Sequence, residues 1–318
     1  VATPSAILLY YANNLHMLKM NHRLLIASLL ILLSCKHQYY KTRNAYAIPG
    51  VNNNVCKKLY GNVLLYAIFV DTRQAKPWTS YDISSTMDSI RKTVTWLEGK
   101  AKENNIPLDI NPVMHINKRD TIPVDQNLYD ESLWKMLFST PDGIDMTDLW
   151  ANAVARKAAL AFPPDTARVV ATKNIISNRE RLIARLRDKY KTDNVALMYF
   201  INNYYTEEIS VAIFTPSATK TEFCIVSFKY PAVIAHEFLH LFGALDLYIS
   251  PFNKKKKAVK NREAILQAYP NEIMGITHRQ IEKLDISPLS QYLIGWKDSL
   301  TEKDRHLLVG NKLKLYKY

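Results

Sequence analysis

Between residues 231 and 246 the chain reads PAVIAHEFLHLFGALD, two histidines and a glutamate set in an apolar run that ends in an aspartate. Few folds can accommodate such a segment. One helical turn separates His236 from His240, so both imidazoles leave one face and can grip a single cation. Glu237 stands beside the first of them, where a general base for a metal-activated water belongs. Pro231 suits the opening position of the helix. Val233, Ile234, Ala235, Phe238, Leu239, Leu241 and Phe242 surround the polar trio, and a helix apolar on nearly all sides belongs in a core. Buried polar groups need partners, and a zinc ion would be one. Gly243 permits the backbone to end the helix and reverse, returning Asp246 towards the same ion as a third ligand. The plainer alternative is a pair of core histidines that hydrogen-bond locally.

HEFLHLFGALD resembles the HExxHxxGxxD form of the metzincin zinc-peptidase signature, whose aspartate ligand is typical of snapalysin-like enzymes. The stretch 270–275, PNEIMG, has turn chemistry at both ends and is similar to the metzincin Met-turn, with Met274 as its methionine. The close match covers residues 231–275. The resemblance implies an α+β fold: a twisted mixed β-sheet, mostly parallel with one antiparallel edge strand, plus long helices, a zinc helix and a Met-turn. It implies a Zn2+ cofactor on His236, His240 and Asp246, with Glu237 as the catalytic base and a peptide or protein as substrate. One departure is plain. Some metzincins carry a transition-state tyrosine two residues after the methionine, and this chain has Ile276 there. Tyr248 and His278 are possible substitutes, though both read better as structural or surface residues. A gluzincin-type arrangement would instead recruit Glu263 or Glu272 as third ligand. Asp246 is preferred because Gly243 gives the chain a physical reason to turn back at once.

The 318 residues suffice for one large domain, and 48% hydrophobic with 22% charged residues is the balance of a globular protein. A formal charge of +13 raises the question of nucleic acid. The basic residues are scattered, however, and the one tight run, 254–257, reads as a solvated loop between the zinc helix and the Met-turn. No nucleic-acid partner is expected.

Met20 to Arg23 makes a short basic start, followed by an apolar run over 24–33 and then Ser34-Cys35. This is the layout of a secretory signal peptide. The small residue before Cys35, with a leucine three positions before it, resembles the bacterial lipobox. That resemblance implies lipidation at Cys35 and anchoring to the cell envelope; plain secretion and a core helix are the alternatives. Residues 1–19 are then upstream sequence, with Met17 a second possible start. The apolar run is too short for a permanent membrane span. Cys56 and Cys224 remain, either as a pair or as two separate buried thiols.

Residues 36–58 read as a tether and 59–318 as a single domain, with a helical insertion at about 118–192. Strands are expected over 61–71, 109–117, 194–202, 209–215 and 221–228, and helices over 80–104, 146–162, 175–190 and 288–296. A short polar connection at 203–208 suits an antiparallel turn, which makes 209–215 the expected edge strand, open to an extended peptide. A monomeric zinc endopeptidase is the expectation. The alternative is a surface lipoprotein binding module with a structural zinc and no hydrolytic activity.

Overall fold

The computed structural model describes residues 55–72, 75–116, 119–125, 140–162, 177–202, 211–213, 221–227, 229–248, 256–277 and 280–309. Cys35, the signal segment, His278 and most of the expected tether lie outside these. Six strands form one sheet: β1 (Gly61–Thr72), β2 (Leu108–Met114), β3 (Ile122–Val124), β4 (Asn194–Ile201), β5 (Val211–Ile213) and β6 (Phe223–Val226). The spatial order is β2-β1-β4-β6-β5, with β3 also on β1. All pairs are parallel except β5 with β6. The fold is therefore a mixed α/β architecture on a mostly parallel sheet.

The central strands announce themselves by composition. Val63 to Val70 and Val195 to Ile201 are buried without interruption, as expected of strands covered on both faces. Successive side chains alternate, so Tyr199 and Phe223 face one layer while Met198 and Cys224 face the other. The first layer holds α2 (Thr140–Ala158) and α3 (Asn178–Tyr190). There Trp150 meets the Tyr199 ring edge-on, the Tyr199 hydroxyl donates to Ala151 O, and Arg179 lies over Phe223. The second layer holds α1 (Ser80–Glu103) and α4 (Pro231–Leu241). Burial raises the Cys224 thiol pKa, and Glu237 of α4 adds to that rise.

Helix α1 begins with a capping box at Thr79 and Asp82 and buries Ile83, Ile90, Val94, Leu97 and Ala101 along one stripe. It packs on α4, where Thr93 Oγ1 donates to Pro231 O at 2.9 Å. Lys229, just before α4, also pairs with Asp82 at 2.9 Å. Two links thus fix the start of α4 to α1. After α4 come α5 (Lys256–Ala268), α6 (Pro288–Leu293) and α7 (Glu302–Val309).

Several expectations are corrected. Strand β5 is the antiparallel edge strand of the described sheet, but it pairs with β6 and not with β4. Strand β6 lies between them, so β4 and β5 are not hairpin partners. The end of the expected tether is core: Val55 and Cys56 are buried, and Val55 N donates to Glu222 Oε2. The lysine run enters a helix at Lys256, and β3 and α7 are additions. Helix α6 stops at Leu293, short of the expected 296. Trp296 nevertheless packs inward as expected, its indole donating to Leu59 O. Both described cysteines are free. No described helix is long and apolar enough to cross a membrane.

Candidate metal centre

Every residue of α4 from Ala232 to Leu241 is buried, including His236, Glu237 and His240. The helix ends in a Schellman arrangement. Ala244 N donates to Leu239 O at 3.1 Å and Gly243 N to His240 O at 3.0 Å. Gly243 sits at φ +101°, a conformation that a side chain would strain. The reversal brings Asp246 back over the histidines. Asp246 Oδ1 lies 3.1 Å from His236 Nε2 and 3.0 Å from His240 Nε2, and the two Nε2 atoms are 3.0 Å apart. Among the described residues this trio is the group of potential ligands close enough to share an ion.

The remaining ring nitrogens decide what the trio can do. His236 Nδ1 donates to Ile273 O at 3.1 Å, and His240 Nδ1 donates to Ala244 O at 2.7 Å. A carbonyl can only accept, so each Nδ1 carries its ring proton. Both Nε2 lone pairs then converge with a carboxylate oxygen, an arrangement that requires positive charge at its centre. Burial lowers the His240 pKa, but the Asp246 hydrogen bond and charge outweigh it and hold the imidazole up at about 9. Burial likewise opposes ionisation of Asp246, yet its two imidazole partners keep it well below the usual carboxylate range. A proton can supply the missing charge; so can a metal ion. Edges of 3.0–3.1 Å match one face of a tetrahedron whose centre would lie about 2 Å from each corner, the length of Zn–N and Zn–O bonds. The donor set therefore fits a metal ion.

Glu237 lies beside this trio. Burial pushes its carboxyl pKa up, against the pull of His236 and His240. Its Oε2 is buried and has no hydrogen-bond partner among the described residues. Such an atom is costly in a core, and beside three converging ligand atoms it makes Glu237 a candidate for chemistry.

The turn beneath the centre contains Met274, whose side chain is fully buried. Its carbonyl accepts from Leu247 N at 2.9 Å, tying the segment that carries Asp246 to the turn that orients His236. Neither rival third ligand joins the trio: Glu263 is exposed on α5, and the Glu272 carboxylate faces Met274 N, Ser287 N and Ser290 Oγ.

Tyr248 is 38% exposed, in keeping with its reading as a surface residue, and it also borders the site. Its ring centroid is 6.3 Å from that of His236, and partial burial together with the charge of Asp246 pushes the phenol pKa up. Arg262 on α5 is a second addition. Burial lowers its pKa against the opposing charge of Asp246 and Tyr248, and its Nη1 is buried without a partner among the described residues. The position of Tyr248 two residues after Asp246 was the available signal for the first. Nothing in the sequence singles out Arg262.

Compared with known proteins, the chain matches no family model, no curated protein and no solved structure.

Proposed function

We propose that the chain is a zinc-dependent endopeptidase. The observation that carries this reading is a buried, unpartnered carboxylate oxygen on Glu237 beside three convergent ligand atoms. His236, His240 and Asp246 would hold the ion. Zinc, when bound, supplies a Lewis acid that polarises a carbonyl and brings water's pKa towards neutrality. Glu237 takes the proton of the attacking water and passes it to the leaving amine. A carboxyl raised by burial holds such a proton more readily than an exposed one. The Tyr248 hydroxyl can donate to the oxyanion that forms on the substrate carbonyl. Strand β5, at the edge of the described sheet and packed against α4, can pair with an extended peptide.

A structural zinc in a binding module is usually closed by four protein ligands. The trio has three members among the described residues, which favours an open catalytic site. Export and lipid anchoring at Cys35 remain part of the proposal and rest on the sequence pattern alone.

The test is hydrolysis of casein and of a peptide library by protein beginning after Cys35, with metal content measured on the same sample. Activity should vanish with chelator and return with zinc. Glu237→Gln should retain the metal and lose about 10²–10⁴-fold in kcat. Wild-type protein that binds zinc and cleaves no library member would favour the binding module, and a Glu237→Gln variant with full activity would remove Glu237 from its role.

A further inference from the structure

We infer that Glu272 is a positioning residue for the metal centre, acting through the turn that orients His236 and the Asp246 segment. The inference rests on the metal-binding reading above but not on peptide hydrolysis.

Glu272 is 1% exposed, and its carboxylate is spent on the backbone of its own neighbourhood. Oε1 accepts from Met274 N at 3.0 Å and from Ser290 Oγ at 2.9 Å; Oε2 accepts from Ser287 N at 2.5 Å. No salt bridge to a cationic side chain accompanies it among the described residues. A buried carboxylate is expensive, and hydrogen bonds to a charged acceptor are the strong kind that can offset the cost. An apolar residue would fill the space at lower cost, so the carboxylate must be judged by what it holds in place.

It holds one of the two peptide units that face the ligands, and the backbone carbonyl of Glu272 caps the other. The carboxylate clamps Met274 N, the amide that follows the Ile273 carbonyl. Ile273 O is the acceptor for His236 Nδ1. The next carbonyl, Met274 O, accepts from Leu247 N, one residue after Asp246. Glu272 O caps the turn from the other side by accepting from Gly275 N and Ile276 N, each at 3.0 Å. Through Ser287 N and Ser290 Oγ the same carboxylate ties this turn to the start of α6. A short bridge to Asp285 completes the frame, with Ile273 N donating to Asp285 O at 2.9 Å. His240 has no need of this device, because its acceptor comes from the cap of its own helix. The frame therefore acts on one imidazole and on the aspartate, and leaves the other imidazole alone.

The experiment strips wild type, Glu272→Ala, Glu272→Gln, Ser290→Ala and the exposed-site control Glu263→Gln of metal. Each is titrated with Zn2+ against a chromophoric chelator and with Co2+ by visible absorption. Apo-protein melting temperatures are recorded in chelator. Glu272→Ala should bind Zn2+ about 10–100-fold more weakly, the usual effect of removing a ligand's supporting group, and shift the Co2+ bands. Glu272→Gln can keep one acceptor oxygen on Met274 N but presents an amide to Ser287 N, so its loss should be smaller. Ser290→Ala should lose less still, and Glu263→Gln nothing. If Glu272→Ala does not fold, Glu272→Gln and Ser290→Ala carry the same reading. Folded Glu272 variants with wild-type Zn2+ affinity and an unchanged Co2+ spectrum would overturn the inference, even with a lowered melting temperature. Wild type that takes up neither ion would overturn the metal reading and this inference with it.

Discussion

The two histidines of the centre are supported in opposite ways. His240 leans on Ala244, four residues away, within the cap of its own helix. His236 leans on Ile273, 37 residues away, in a turn framed by Glu272, Asp285 and α6. One half of the site is local and the other is assembled only by the whole fold. A local half forms wherever its helix forms. A distant half is correct only when several elements have docked, so it ties the affinity of the site to the integrity of the domain.

The largest effects should ignore this difference. His236→Ala and His240→Ala each remove one of the three proposed ligands, and both should abolish measurable Zn2+ uptake by competition titration. Retained binding in either one would break the symmetry of the trio. The next effect should fall on the local half alone. At φ +101°, Gly243→Ala should cost about 1–2 kcal/mol of stability by urea denaturation and weaken Zn2+ binding as well. The matching probe of the distant half is milder. A Cβ at Gly275 would lie 2.7 Å from Leu266 Cδ2, the movable tip of a side chain. Gly275→Ala should therefore cost less than Gly243→Ala in the same denaturation series, about 1 kcal/mol or under. A reversed order would mean that the distant turn is the more rigid of the two.

The smallest expected effect separates the site from the rest of the core. His115 is buried with its Nδ1 on the Tyr66 hydroxyl at 2.8 Å and its Nε2 unpartnered. Burial, helped by Lys189, pushes its pKa down to about 4, opposite in direction to His240. The unfolded chain binds this proton more readily than the folded one. The stability that His115 contributes is thus present above about pH 6.5 and is lost as pH falls from there towards 4. His115→Gln should flatten the slope of the urea midpoint between those limits. An unchanged slope would place the acid sensitivity elsewhere.

The local and distant halves also differ in how far they could be read beforehand. HEFLHLFGALD contains the local half entire, because spacing, cap and reversal are encoded within one short stretch. Met274 was legible as a turn residue, but the carbonyl before it was not, since no side chain advertises a backbone acceptor. The same holds for Glu272, which sequence reasoning considered as a ligand; its true partners lie as far away as Ser290. The long apolar strands β1 and β4 and the stripe of α1 were plain from periodicity. Strand β3 has three residues, too few to carry a period, and α5 opens in a lysine run that reads as solvent-exposed loop. The partner of β5 depends on which strand enters beside it, which chain order does not encode.

Cys56 and Cys224 are sealed in the core, and burial lifts both thiols well above their ordinary pKa. Neither offers much thiolate to an oxidant or an alkylating reagent while the domain stays closed. Labelling of these sulfurs therefore becomes a clock for opening of the sheet. Run with and without added zinc, that clock would read whether an ion at the proposed centre slows the opening.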